Sequence, residues 1–322
     1  MTADNNNNGV IIKTSALTKT YRGMEKAAVD NLDLEVYTGE VFGLLGPNGA
    51  GKTTTAGMLT TRIIPTSGNA FVASIDVRKH PSLAKQLMGI VSQQNTLDRA
   101  LTVKENLYFH GLLFGMDKKN SLVEADKLLE EFQLSAWGDK SVYALSGGMA
   151  QRLMVARAIM HRPAVLFMDE PTTGLDPQSR LALWEILREL NKEGQTICLT
   201  THYMEEADQL CNRVAIMDNG KILALDTPSN LKKSVGIDTI VQLEVKTNLQ
   251  QFSDAVTKHL PQVIKTRLYG GGLELQIGKT DNLLSKIVAA ADDAGSEVTN
   301  VSISEPTLET VFITYTGRDL RE

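Results

Sequence analysis

The sequence has few cysteines, no long apolar run and no excess of positive charge. Its two cysteines, Cys198 and Cys211, are too few for a disulfide framework or a cysteine-based metal site, and they suit a reducing cytoplasm. Because no stretch of about 18 or more apolar residues occurs, no membrane-spanning helix is expected. A formal net charge of −5 gives no indication of nucleic-acid binding. Any membrane role must therefore come from a partner.

Length and composition indicate a globular chain with about two domains. The chain has 322 residues, of which 42% are hydrophobic and 22% are charged. The N-terminus lacks the basic and apolar regions of a signal peptide, and residues 1–9 are expected to be disordered. A change of pattern predicts one domain at 10–232 and a second domain at 233–322.

Residues 46–53 carry the most informative pattern in the chain. They fit G-x-x-x-x-G-K-[ST], follow the apolar run 40–45 and precede a segment that opens a helix. Glycines let the backbone N–H groups point at an anion, and the helix N-terminus adds partial positive charge. Lys52 is expected to reach the β- and γ-phosphates of a nucleotide and to act in catalysis, while the Thr53 hydroxyl binds Mg²⁺. The predicted nucleotide-binding residues here are Gly46, Pro47, Asn48, Gly49, Ala50, Gly51, Lys52, Thr53 and Thr54.

Two carboxylates follow the apolar run 164–168, which reads as a buried strand. Asp169 and Glu170 stand at its carboxyl end, the edge at which ligands bind in open α/β sheets. Asp169 is suited to holding Mg²⁺ through its water shell. Glu170 is suited to polarising an attacking water as the catalytic base.

Three further side chains gain meaning from this context. Gln93 follows a short strand, where a glutamine can bind Mg²⁺ and the attacking water, although such residues are often only solvated surface. His202 follows another strand and is predicted to hydrogen-bond the γ-phosphate in catalysis. Tyr21 lies upstream of the loop, where its ring fits packing in the core or stacking on a base.

A helical segment at about 95–162 interrupts the α/β pattern. Its apolar cluster at 107–114 fits the core of a helical subdomain, a groove for a partner's helix, or both. Ser146, Gly147 and Gly148 then open a helix and form a second anion-binding terminus. Because one nucleotide does not need two phosphate cradles in one chain, we expect this terminus to close over a nucleotide held by another copy.

These elements, in this order, resemble the ATP-binding cassette (ABC) ATPases, and the resemblance covers residues 10 to about 230. The stretch 145–148, Leu-Ser-Gly-Gly, is its most discriminating part, since other phosphate-loop ATPases lack it. The resemblance implies a P-loop α/β cassette with a helical subdomain and a head-to-tail dimer that encloses two ATP molecules with Mg²⁺. Ser146, Gly147 and Gly148 would then bind the ATP held by the second copy, and Asp176 would lie at that interface.

The single-cassette layout and Met149, where many members have Gln, resemble the daunorubicin-resistance and nodulation-type exporter branch. That resemblance implies an ATPase chain that pairs with a separate multi-helix permease at the cytoplasmic face of the membrane. An importer ATPase and an ABC ATPase outside transport remain as alternatives. Importer ATPases tend towards all-β extensions. ABC ATPases outside transport carry coiled coils, zinc modules or paired cassettes. A catalytically dead regulatory cassette is disfavoured because every catalytic position is occupied.

Beyond residue 233 the pattern predicts a small accessory or regulatory α+β domain. Alternation at 240–245, helical periodicity at 249–260 and 281–294, and a hairpin with a glycine triplet at 270–272 give the order β-α-β-β-α-β with a trailing helix. That order is typical of a ferredoxin-like sandwich. We expect this domain to dimerise or regulate and to carry no chemistry.

Overall fold

The computed structural model describes residues 9–246, 249–269, 272–279 and 282–317. Contacts divide the chain into two compact units, with the division between Thr227 and Pro228. The sequence predicts this boundary a few residues later, after residue 232. The structure differs because helix Pro228–Ser234 packs against helix Leu308–Thr316, which belongs to the second unit. The predicted disorder of residues 1–9 lies, apart from Gly9, outside the described residues.

The first unit is built on two sheets. The strands of the smaller, antiparallel sheet lie in the order β2-β1-β4-β5 and are β1 (Val10–Lys19), β2 (Val29–Tyr37), β4 (Ser67–Val72) and β5 (Ile75–Asp76). The larger sheet has the order β10-β9-β3-β8-β7-β6, and its strands are β3 (Val41–Leu45), β6 (Met88–Val91), β7 (Val165–Asp169), β8 (Thr196–Thr201), β9 (Arg213–Asp218) and β10 (Lys221–Asp226). All of its neighbours run parallel except β10, which is antiparallel to β9.

The central strands of the larger sheet are buried on both faces. Every residue of β3 and β8 is buried, and β7 is buried up to its final residue, Asp169. Continuous apolar runs of this kind are typical of parallel strands covered by helices on both sides. The polar end of β7 therefore lies at the edge of the core rather than within it.

Helices cover the sheet and form the expected helical subdomain. Those of the first unit are α1 (Lys52–Leu59), α2 (Pro81–Gln86), α3 (Val103–Leu113), α4 (Lys118–Glu131), α5 (Gly147–Ile159), α6 (Pro177–Lys192) and α7 (Met204–Leu210). The sequence explains where they begin, since Thr102 and Glu105 form a capping box at α3 and Asp176 caps α6. In α3, Leu107 is fully buried whereas Leu113 is 83% exposed, so one part of the predicted apolar cluster is core and another part is surface.

Two histidines pack together inside the helical subdomain. Phe114 stacks on His161 with ring centroids 3.7 Å apart, and the His110 ring lies 4.8 Å from that of Phe114. The Nε2 atom of His161 donates a hydrogen bond to the carbonyl of Met88 at 3.1 Å. Burial, with the nearby charge of Arg157 as a smaller cause, lowers the pKa of His110 to about 4, and burial also lowers the pKa of His161.

We expect acid to destabilise this subdomain between about pH 6.5 and pH 4. In this range the unfolded chain binds a proton at His110 that the folded chain does not bind, so the free energy of unfolding falls as the pH falls. The shift corresponds to a loss of up to about 3 kcal/mol. Urea unfolding at pH 7 and pH 5 measures it. His110→Leu should lose less stability over this range, while His80→Gln, at an exposed position, should lose as much as the wild type. Equal losses in all three proteins would contradict the assignment.

The second unit has the predicted ferredoxin-like order. Its elements are α8 (Pro228–Ser234), β11 (Thr239–Val245), α9 (Leu249–His259), β12 (Val263–Tyr269), β13 (Gly272–Ile277), α10 (Leu283–Asp293), β14 (Val298–Ser304) and α11 (Leu308–Thr316). The strands pair antiparallel in the order β12-β13-β11-β14, and α9 and α10 share a core with one face of the sheet. Gly270 and Gly271 of the predicted glycine turn lie outside the described residues. Across the described ranges, we find no helix with the length and hydropathy needed to cross a membrane.

Candidate active site

The predicted site residues gather at one edge of the larger sheet. Strands β3, β8, β7 and β6 are neighbours, run parallel and end at this edge. The 46–53 loop follows β3, His202 follows β8, Asp169 ends β7, and Gln93 lies two residues beyond β6. Four segments that are distant in sequence therefore converge where ligands bind in open α/β sheets.

Two glycines of the 46–53 loop, Gly46 and Gly51, are required by close backbone packing. A Cβ atom at Gly46 would overlap the backbone carbonyl of Met217. Gly51 caps α1 with a φ of +103°, and a Cβ there would lie 2.5 Å from the carbonyl oxygen of Ala28. Only glycine meets both demands, and the loop thereby leads directly into the N-terminus of α1 at Lys52.

The Lys52 ammonium group is almost fully buried inside this loop. Its Nζ donates hydrogen bonds to the carbonyl oxygens of Gly46 at 2.7 Å and Pro47 at 2.9 Å, and it lies 3.8 Å from Oε1 of Glu170. Burial lowers the pKa of Lys52, although the carboxylates of Glu170 and Asp169 oppose that effect. A buried cation whose hydrogen bonds go to neutral carbonyl groups is well placed to exchange these partners for a polyanion.

The carboxylate of Glu170 has several polar side chains around it at this edge of the sheet. Its Oε2 accepts hydrogen bonds from Nε2 of Gln93 at 3.3 Å and from Oγ1 of Thr173 at 3.1 Å. Nδ1 of His202 lies 3.2 Å from the same oxygen, close enough for an ion pair but without hydrogen-bond alignment. The backbone of Glu170 has a φ of +48°, a conformation that non-glycine residues rarely adopt, and its N–H donates to the carbonyl of Thr200 at 3.0 Å.

Oxygen atoms suitable for Mg²⁺ lie beside this carboxylate. Oδ1 of Asp169 accepts a hydrogen bond from the Thr53 hydroxyl at 3.1 Å and another from the Thr200 hydroxyl at 2.6 Å. Thr53, Gln93 and Asp169 also line a shared cleft of ≈ 500 Å³. A hydroxyl, a carboxylate and an amide oxygen form the hard donor set that Mg²⁺ prefers, so these residues fit that ion.

The aromatic side chain predicted to stack on a base lies next to the loop. Tyr21 is 41% exposed, and its hydroxyl lies 3.4 Å from Oγ1 of Thr54. The ammonium group of Lys19 lies 5.2 Å from the centre of the Tyr21 ring. An exposed ring beside the loop is not explained by core packing, which leaves it available to a ligand.

The second predicted anion-binding terminus is a separate group. Ser146 caps α5 by accepting a hydrogen bond from the Met149 N–H at 3.3 Å, and Gly147 and Gly148 begin that helix. Within the described part of the chain, no hydrogen bond or ion pair joins residues 146–148 to the 46–53 loop. This helix terminus could therefore contact a ligand other than the one bound by the chain's own 46–53 loop.

Ser179 lies between Asp176 and the beginning of α5 and contacts both. The Asp176 carboxylate caps α6, accepting from the Ser179 N–H at 3.0 Å and from the Ser179 hydroxyl at 2.6 Å. A Cβ atom at Gly148 would overlap that same hydroxyl group. The two helix termini therefore pack closely together, so Asp176 belongs with the 146–148 group rather than with Glu170.

Two contributing residues, Thr200 and Thr173, do not stand out in the sequence, and neither does a buried carboxyl four residues after His202, that of Glu206. The Thr200 hydroxyl contacts Asp169, and strand register could have found it, since Asp169 pairs with Thr200 between β7 and β8. Thr173 reaches Glu170 through a turn of three residues. Glu206 is fully buried and accepts a hydrogen bond from Trp184 Nε1 at 3.2 Å, and its burial raises the pKa of the carboxyl. Nothing local distinguishes it from the exposed Glu205 beside it.

Comparison with known proteins identifies the family. A family model described as "ABC transporter" matches residues 29–173. The chain is 38% identical to the daunorubicin resistance ATP-binding protein DrrA2 of Streptomyces coeruleorubidus, with 96% of each chain covered. It is 36% identical to the linearmycin resistance ATP-binding protein LnrL of Bacillus subtilis (92% of this chain, 96% of the relative). It is 40% identical to the Nod factor export ATP-binding protein I of Cupriavidus metallidurans (92% and 95%).

Solved structures agree with the sequence relatives. One neighbour is cbiO1 of Clostridium perfringens, with a TM-score of 0.65 and 27% identity over 70% of this chain and 92% of that chain. Another is a dimeric post-hydrolysis state of the ATP-binding cassette MJ0796 bound to ADP and Pi, with a TM-score of 0.62 and 26% identity over 67% and 98%. The predicted resemblance and fold class are confirmed, and the chain belongs to the ABC transporter family, whose cassettes bind and hydrolyse ATP.

Proposed function

We propose that this chain is the motor subunit of a multi-component ABC exporter and that it hydrolyses Mg²⁺-bound ATP to drive a separate membrane permease. The observation that carries the chemical part is the convergence of Gln93, Thr173 and His202 on one oxygen of Glu170, beside the ammonium group of Lys52. A carboxylate held in this way has a fixed direction, as a general base requires.

Each residue of the cluster has a distinct task in this proposal. Lys52 leaves its loop carbonyls for the β- and γ-phosphates, and Tyr21 stacks on the base. Glu170 accepts a proton from the attacking water, which Gln93 helps to position, while His202 donates a hydrogen bond to the γ-phosphate. The products are ADP and inorganic phosphate.

Thr53, Asp169 and Gln93 are the residues that would hold Mg²⁺, Asp169 through its water shell. When bound, the ion would supply positive charge to offset the charge that develops on the phosphate oxygens. The Thr53 hydroxyl donates to Asp169 Oδ1 at 3.1 Å, so these two oxygen ligands lie side by side.

A second copy of the chain completes the nucleotide site in this proposal. Ser146, Gly147 and Gly148 present a helix N-terminus that does not contact the chain's own phosphate loop, and such termini bind anions. We infer that they close over the ATP of a second copy in a head-to-tail dimer, with Asp176 at the interface. The MJ0796 cassette, to which this chain is similar, is dimeric in its solved structure, and this supports the arrangement.

The exporter assignment rests on relatives rather than on site geometry. Relatives that cover 92–96% of this chain are named for daunorubicin and linearmycin resistance and for Nod factor export. We infer that this chain binds a multi-helix permease at the cytoplasmic face of the membrane and transmits its motion through the 93–115 region. Nucleic acid has no part in the proposal.

Co-purification tests the transporter part of this proposal. The full chain is tagged at its C-terminus, native membranes are solubilised in mild detergent, and the bound proteins are identified. We expect a multi-helix membrane protein at about one-to-one. If the tagged chain is recovered with ribosomes, with DNA or with no partner, the exporter assignment is wrong. The chain would then be an ATPase that does not act in transport.

The second unit should be dispensable for nucleotide binding. Every residue of the proposed site lies before Thr227, and the chain divides at that point. A chain that ends at Thr227, and equally one that lacks residues 235–322, is therefore expected to keep an intact ATP site and to bind ATP. Calorimetry on protein whose circular dichroism shows a folded state measures this. Complete loss of binding by a folded truncation would contradict it.

A further inference from the structure

Strand β14 lies at the edge of its sheet and is almost entirely exposed to solvent. Six of its seven residues are exposed, including Val301 at 37% and Ile303 at 49%. Its inner side pairs with β11, and among the described residues no strand pairs with its outer side. A row of backbone donors and acceptors is therefore open to another strand.

The apolar residues of β14 lie on the face of the sheet that carries the helices. Ile303 pairs with Val241 and Val301 pairs with Leu243, and directly paired residues share a face. Val241 and Leu243 are fully buried in the core beneath the helices. The helical layer thus covers β11 but leaves these two side chains of β14 uncovered.

The opposite edge of the same sheet is protected where β14 is not. Strand β12 carries Lys265 and Arg267, and charged residues of this kind discourage pairing between edges. The residues of β14, Val-Thr-Asn-Val-Ser-Ile-Ser, include neither charge nor proline. The contrast between the two edges points to β14 as the one that accepts a partner strand.

The sequence of β14 is complementary to itself in one antiparallel register. A register shift near Thr299 leaves Asn300–Ser304 as the regular stretch. With Ser302 on a two-fold axis, Val301 of one copy lies opposite Ile303 of the other, and Asn300 lies opposite Ser304. Both apolar pairs fall on one face and no charges meet, as an isologous interface requires.

The small size of this surface favours a partner that is already held nearby. Five paired residues extend about 17 Å, and the area they bury is far below the roughly 1,200–2,000 Å² of a stable interface. Such a contact gains strength when a second interface raises the effective concentration. A second copy of this chain, joined through the proposed ATP dimer, meets that condition.

We propose that β14 pairs with β14 of a second copy to form one continuous eight-stranded sheet, and that this contact strengthens the ATP-bound dimer. The inference rests on the dimer of the proposed function. The C-terminal unit is then a dimerisation module, and Val301 and Ile303 form its apolar contact.

A cysteine at the two-fold axis tests the pairing in the full chain. Directly opposed residues of antiparallel strands lie about 4.5–5.5 Å apart at Cα, within disulfide range. Ser302→Cys should therefore give a covalent dimer on mild oxidation. The native Cys198 and Cys211 are buried, which keeps the background low. The matched control Thr266→Cys, at an exposed position on β12, should give no more dimer than wild type.

A second variant measures the contribution of the contact. In a Glu170→Gln background with ATP, Val301→Lys should raise the protein concentration for half-dimerisation by about tenfold or more, as followed by sedimentation. Ile264→Lys, a comparably exposed position on β12, should leave it unchanged. Equal effects of the two lysines would overturn the proposal.

The outcomes separate this inference from the proposed function. If the Glu170→Gln chain dimerises with ATP but Ser302→Cys cross-links no better than Thr266→Cys, the β14 pairing is wrong and the ATP dimer stands. If Ser302→Cys cross-links although ATP induces no dimer, the pairing stands and the ATP dimer is wrong. Cross-linking of the Ser302→Cys chain to a membrane protein instead of a second copy, in native membranes, would also overturn the pairing.

Discussion

Replacing Glu170 with Gln is expected to lower ATP turnover roughly 10²- to 10⁴-fold, the range that general-base catalysis supplies. The amide keeps the shape of the side chain and an oxygen that can accept from Gln93 or Thr173, so the local structure should persist. It cannot accept the proton of the attacking water at neutral pH. Phosphate release at saturating ATP measures turnover.

The same variant should separate binding from chemistry. ATP affinity should be preserved because the phosphate loop and Lys52 are unchanged, and the chain should accumulate as a dimer in ATP because hydrolysis no longer reopens it. Glu205→Gln is a matched control, since Glu205 is exposed on α7 and lies outside the cluster. Turnover close to that of the wild type in Glu170→Gln would remove Glu170 from the role of base.

The composition of the site could be predicted because its motifs are local. The 46–53 loop is contiguous, and the positions of Asp169, Glu170 and His202 at strand ends follow from apolar runs that stop abruptly. The shared edge of the parallel strands then brings them together. How Glu170 is held could not be predicted, because its φ of +48° and its bond to Thr173 depend on the tertiary structure of a turn.

The fold shows the same division between local and non-local information. The elements of the C-terminal unit were predictable from alternation and helical periodicity, and α9 and α10 lie within the two segments predicted as helices. The small antiparallel sheet was not predicted, since β4 and β5 are short, partly exposed strands around a turn. The boundary at Thr227 depends on packing between α8 and α11, which are far apart in sequence.

Lys52→Ala should weaken ATP binding at least about 10- to 100-fold, the effect of losing one hydrogen bond to a charged group. The ammonium group is held inside the loop by two carbonyl oxygens at 2.7 and 2.9 Å. Phosphate oxygens are stronger acceptors for this ammonium group than the carbonyls are, because the phosphate oxygens carry negative charge that attracts the cation. Calorimetric titration with ATP measures the loss.

Comparing ATP, ADP and AMP shows whether Lys52 acts on the β- and γ-phosphates. If Lys52 contacts the β- and γ-phosphates, Lys52→Ala should weaken ATP and ADP binding but leave AMP binding unchanged, since AMP lacks both groups. Lys79→Ala removes an exposed lysine outside the loop and should change none of these affinities. A thermal unfolding scan without nucleotide shows whether the unpaired carbonyls of Gly46 and Pro47 destabilise the variant. Unchanged ATP affinity in a folded Lys52→Ala chain would contradict the phosphate-loop assignment, whereas an equal loss for all three nucleotides would mean that the lysine supports the loop rather than the phosphates.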